Sequence, residues 1–275
     1  MELRLFWTVA RRELREALRN KWLWLYAAGF AALALALSRA GLSAAGYSGL
    51  GGFGRTAASL INALLLFVPL MGLSVGAAAL AGDRERGTLL YLLAQPVSRA
   101  EVFWGKALGA ALALLAALAL GFGAAGLALA AAGGGSASIY LALAGYTLLL
   151  ALTALGLGLA LSALTRKAAT AAGAALVAWL GLVFFADLGL VGATLALRPP
   201  PSGLLAWVLV NPLQTFKLGA IYSLHATLDT LGPAGQYAVY RFGDALPILL
   251  IGVLAAWCAA SFGAAWLLFA RRGDA

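Results

Sequence analysis

One cysteine, one histidine and two methionines occur in 275 residues. The single Cys258 excludes an intrachain disulfide. His225 stands apart from it, and Met1 lies far from Met71, so a soft-metal path built by this chain alone lacks its usual ligands. No metal site and no bound cofactor is expected. Charge is scarce too: Asp, Glu, Lys and Arg form 11% of the chain against 63% hydrophobic residues. Mean hydropathy is +0.95, outside the soluble globular range. From Ala107 to Thr165, 59 residues pass without a charge, room for two helical spans of about 20 residues each. This composition defines a polytopic membrane protein. The formal net charge of +9 does not point to nucleic acid, because Lys and Arg cluster at the ends of apolar runs, where they fix orientation.

Six spans are predicted, at about 22–37, 59–82, 105–132, 139–164, 168–186 and 245–270. The expected architecture is an all-α membrane protein, with residues 1–21 as an interfacial helix before a six-span domain over 22–275. With both termini cytoplasmic, 14 of the Lys and Arg side chains fall inside and 5 outside; the opposite orientation inverts that ratio. The first span is not read as a cleaved signal, since its leader is long and carries Glu2, Glu13 and Glu16. In that leader Leu3, Phe6, Trp7, Ala10, Leu14, Ala17 and Leu18 recur at helical spacing opposite a row of arginines. Such a helix is suited to lie in the headgroup layer, in contact with lipid.

Two polar regions interrupt the hydrocarbon-like chain. Residues 83–104 form a charged island expected to face the cytoplasm. Within it Ser98 and Glu101 have capping-box spacing, so the third helix is expected to begin at Ser98, with Val97 and Val102 as a staple. Pro96 separates that helix from a short apolar one at Leu89–Leu93, which Gly87 bends and Thr88 caps. Leu89-Leu90-Tyr91-Leu92-Leu93 would form an exposed ridge that needs a cover. Residues 187–244 form the second region, extracytoplasmic or re-entrant. There Gly203–Val210 is apolar but too short to span, and Asn211-Pro212 follows it.

Glu85-x-Gly87-Thr88-Leu89, Pro96, Ser98-Arg99 and Gly105-Lys106 resemble the signature of permease subunits of type-2 ABC exporters. Ala10-Arg11-Arg12-Glu13-Leu14-Arg15-Glu16 is similar to the connecting helix of the same permeases. The resemblance implies a homodimer in a bacterial inner membrane, seated on two ATPase subunits that carry the ATP and Mg. It makes residues 83–104 the coupling segment, with Glu85, Gly87, Thr88, Leu89, Leu92, Leu93, Pro96, Arg99, Glu101, Arg166 and Lys167 as the coupling set. Within the family, Leu18-Arg19-Asn20-Lys21-Trp22, Gly87-Thr88-Leu89-Leu90 and Pro96-Val97-Ser98-Arg99 resemble the branch that serves maturation of nitrous-oxide reductase. In that branch Asn211, Pro212, Phe216 and Lys217 would face a periplasmic partner, and Gln214 stands where an acidic residue is expected. The branch serves assembly of a copper–sulfur centre; the poverty of Cys, Met and His argues against this chain carrying bare copper. A type-2 permease exporting an unrelated hydrophobic or drug-like substrate is the alternative.

Two other classes fit less well. Gly72-Leu73-Ser74-Val75-Gly76 matches the Gly-x-Ser-x-Gly pattern of serine hydrolases, with His225 as the base. That pattern needs a strand-to-helix turn, and here it lies inside an apolar helix. A secondary carrier would hold ionisable groups near the midplane, where these spans have essentially none. The chain also lacks a Gly-x-x-x-x-Gly-Lys-Ser/Thr run: Gly105-Lys106 is followed by Ala107, so ATP is not cradled here by a P-loop. The pairs Gly105/Gly109 and Gly156/Gly158 would allow close helix contacts.

Overall fold

The computed structural model describes residues 3–21, 23–25, 27–29, 32, 51–131, 137–197, 199–223 and 232–272. The predicted span at 22–37 and His225 lie wholly or largely outside them. The helices are α1 (Leu3–Leu18), α2 (Gly51–Glu85), α3 (Thr88–Leu93), α4 (Arg99–Ala131), α5 (Ala137–Leu164), α6 (Ala168–Leu197), α7 (Pro201–Val210), α8 (Pro212–Ser223), α9 (Gly232–Phe242) and α10 (Leu246–Arg272). Among the described residues five helices are long and apolar enough to cross a membrane, or six if the pair α7 and α8, bent by 111°, is one broken span. No strand occurs among them, as expected where every backbone polar group must be satisfied within its own segment.

α5 is the central post, packed against α2, α10 and α8. Lipid is as apolar as leucine, so such helices associate by close packing rather than by the hydrophobic effect. Glycine supplies the closeness. A Cβ on Gly72 would sit 2.7 Å from the Ala151 carbonyl oxygen, and one on Gly158 would sit 2.5 Å from that of Leu73. Gly76 faces the Leu155 carbonyl, and Gly156 meets Ser261 of α10. The Gly-x-Ser-x-Gly run is therefore a packing stripe inside α2, with Ser74 half-buried in mid-helix, and not a strand-to-helix elbow.

α1 crosses α4 where Gly105 and Gly109 remove the side chains. A Cβ on Gly105 would lie 2.9 Å from Val9, and Gly109 faces the Ala10 carbonyl and Glu13. Here the structure adds a partner to the expected stripe. The buried side of α1 is Val9, Ala10, Glu13 and Ala17, while Trp7 is exposed. The helix lies on its own α4 and turns Arg4, Arg11, Arg12, Arg15 and Arg19 outward. α6 is the least covered of the long helices, leaving Leu176, Val177, Phe184, Phe185 and Leu188 exposed.

Candidate functional site

Four consecutive charges close α2 and open the turn after it, and each is tied to a different part of the molecule. Asp83 is fully buried; its Oδ2 accepts from Lys106 Nζ of α4 at 2.7 Å, and its Oδ1 accepts from Thr88 Oγ1 at 2.9 Å. Arg84 donates from Nη1 to the carbonyls of Ser162 (3.1 Å) and Thr165 (2.6 Å). Those are the orphan carbonyls at the negative end of α5. Glu85 Oε2 accepts from the Ala168 amide at 2.8 Å and so caps the positive end of α6. Arg86 pairs with Asp83 at 2.8 Å and with Glu16 of α1.

Lys106 also pairs with Glu13 of α1. Lys106 is 2% exposed and Glu13 7%, so two carboxylates and an ammonium are buried together. Burial pushes the Glu13 carboxyl above its ordinary range, and the neighbouring ammonium offsets this only in part. Ser162 adds an uncharged tie: its hydroxyl donates to the Ala77 carbonyl at 2.7 Å and accepts from the Ala81 amide at 2.7 Å.

α3 hangs from this node. Gly87 adopts φ 72° and acts as its N-cap, a left-handed conformation that glycine enters without steric cost. Thr88 does not cap the helix as expected, because its hydroxyl turns back to the Asp83 side chain and carbonyl. Leu89 is buried in the chain's own core, with Leu93 packed against the same core, so within the expected ridge these two do not form the outer face. That face is Leu90 and Tyr91, 53% and 71% exposed, followed by exposed Ala94, Gln95 and Pro96. The capping box is present: Glu101 N donates to Ser98 Oγ at 3.2 Å, and Ser98 N donates to Glu101 Oε2 at 2.9 Å. Glu101 is buried in that role, so it is not a surface residue. Arg99 reaches the Ala270 carbonyl, at 3.5 Å, near the end of α10. Arg166 and Lys167 are exposed, and the bond from Glu85 to Ala168 holds their turn at the same end of the bundle as α3.

At the α7–α8 break the polar groups are uncharged and face inward. Asn211 Oδ1 accepts from the Leu213 amide at 2.9 Å, and its Nδ2 donates to the Leu182 carbonyl of α6 at 3.1 Å. Thr215 Oγ1 donates to the carbonyls of Val208 (3.0 Å) and Asn211 (3.1 Å). Asn211, Pro212 and Phe216 are buried, which corrects the expectation that they face an outside partner. Lys217, with Gln214, Leu213, Asn62, Leu65, Leu66 and Val183, lines a cavity of about 270 Å³ between α2, α6 and α8.

A bundle of apolar spans with a charge-dense node at one end, carrying a short exposed helix, has the form of a transporter's membrane subunit. The chain belongs to the ABC-2 family of transporter proteins, whose pattern matches residues 7–273. It is 35% identical to a probable ABC transporter permease protein NosY of Pseudomonas aeruginosa, over 97% of this chain and 98% of that one. It is 32% identical to a probable ABC transporter permease protein NosY of Stutzerimonas stutzeri, over the same shares.

Proposed function

We propose that this ABC-2 permease works as a homodimer on two separate ATPase subunits, in the maturation of the copper–sulfur centre of nitrous-oxide reductase. ATP is bound and hydrolysed by the partner subunits, and α3 is the part of the permease on which they seat. The observation that carries this reading is the exposed Leu90–Tyr91 face. It is a pair of large apolar side chains on a six-residue helix, held in place by partnered charges. Such a patch at an aqueous end calls for a cover. The likeness to the two NosY permeases supports the maturation role, and work on a periplasmic partner is the expected output. The uncovered face of α6 supports a second copy beside the first. Both termini are assigned to the cytoplasmic side of a bacterial inner membrane by the bias of positive charge.

The test is co-purification with the ATPase. Tyr91→Asp should cut complex formation by about tenfold or more, since a charge would be desolvated without a partner. Normal assembly by that variant removes α3 as the seat. Loss of mature nitrous-oxide reductase in cells carrying the variant, restored by the unaltered chain, tests the maturation role separately.

A further inference from the structure

We propose that Glu13, Asp83 and Lys106 form a buried ionic latch that makes α1, α3 and the start of α4 move as one rigid lever, with Lys106 as its central positioning residue. This rests on the reading of α3 as the ATPase seat.

The three groups come from three helices far apart in sequence. Lys106 lies 93 residues from Glu13 and 23 from Asp83. Asp83 extends the network to Arg86 and Thr88, and Arg86 extends it to Glu16. Counting Glu13, Asp83, Lys106 and Arg86, the charges cancel, so no net charge is stranded. A buried ion pair adds little stability over an apolar replacement of the same shape; what it supplies is direction and register. Glycine packing already holds α1 to α4 through Gly105 and Gly109, yet such a stripe allows sliding and rotation. The ammonium between two carboxylates removes both freedoms. A displacement of α3 therefore reaches α1 and α4 together, because the same Asp83 accepts from Thr88 of α3 and from Lys106 of α4.

The experiment uses the full permease with its ATPase, in a Cys258→Ser background. Spin labels at Arg12→Cys and Gln95→Cys, both exposed, report the separation of α1 and α3. A second pair at Leu141→Cys and Tyr240→Cys, 69% and 90% exposed, reports the far end of the bundle. With ADP–vanadate trapped, the first distance should stay constant and narrow while the second shifts. A change in the first distance in the unaltered network overturns the latch outright. The charge-free variant Glu13→Gln/Asp83→Asn/Lys106→Gln should still assemble and hydrolyse ATP within about twofold, with the far-end shift reduced by roughly tenfold and the first distance broadened. Should that variant fail to fold, Glu13→Gln alone, which keeps one partner for Lys106, should broaden the first distance and reduce the far-end shift by about threefold. A full far-end shift in either variant overturns the proposal. Absence of any complex with the unaltered chain instead defeats the seating of the ATPase on α3.

Discussion

The charged end of the bundle and the α7–α8 break solve one problem in opposite ways. At the node end, α2 finishes in Asp83, Arg84 and Glu85, Arg86 follows, and helix termini are tied to one another by full charges. At the α7–α8 break, Asn211 and Thr215 satisfy backbone groups with an amide and a hydroxyl, and no charge is involved. The difference follows from the surroundings. Near an aqueous boundary the exposed ends of charged groups keep water, and helix dipoles add to the attraction. Deeper in an apolar environment an isolated charge is costly, so uncharged donors take over.

Removing the central cation of the node should have the largest effect. Lys106→Met leaves the Glu13 carboxylate buried without its counter-charge and leaves Asp83 with Arg86 alone. The expected cost is about 3–5 kcal/mol, read as a drop in thermal unfolding temperature of the purified protein in detergent. If Lys106→Met and Asn211→Ala cost the same, the contrast between a charged and an uncharged end is wrong. Asn211→Ala removes the tie to the Leu182 carbonyl of α6 and the cap of α8, for about 1–3 kcal/mol. Glu85→Ala comes next at about 1 kcal/mol, because its bond to the Ala168 amide is exposed and water can replace it. It should weaken the hold on the Arg166–Lys167 turn and lower ATP turnover modestly, without loss of assembly.

Legibility differed between the two ends as well. The capping box at Ser98 and Glu101 is local, spanning four residues with fixed geometry, and Gly87 announced its bend. The glycine pairs were visible as spacing, though not their partners. The ionic latch was not visible, because Glu13, Asp83 and Lys106 meet only after three helices have packed. Each alone reads as an ordinary charge at the end of a span. Leu89 was placed on the wrong side for a related reason. A six-residue helix with leucine at four positions carries no periodicity from which to choose a face. Asn211 and Pro212 were expected to face a periplasmic partner, since such a pair looks the same in sequence whether water or protein surrounds it. One signal could have revealed the latch: Glu13 sits on the same side of α1 as Ala10 and Ala17, at helical spacing, so a carboxylate had to be facing the core.

In the middle of α2, Ser74 gives the smallest expected effect, and set beside Gly76 it separates two chemistries. In Gly72-Leu73-Ser74-Val75-Gly76 the glycines touch α5 and Ser74 does not have to. If the run is a packing stripe, Gly76→Ala should matter more than Ser74→Ala. The added methyl would meet the Leu155 carbonyl and push α2 off α5, for about 1–3 kcal/mol. Ser74→Ala, at a half-buried position, should stay within about 0.5 kcal/mol and leave assembly and ATP turnover unchanged. A hydrolase would rank them the other way, because removing its nucleophile abolishes turnover at any stability. The measurement is unfolding temperature and activity of both variants side by side. Loss of function in Ser74→Ala with its stability intact would make the serine a reacting group, and α2 would then be more than a packed span.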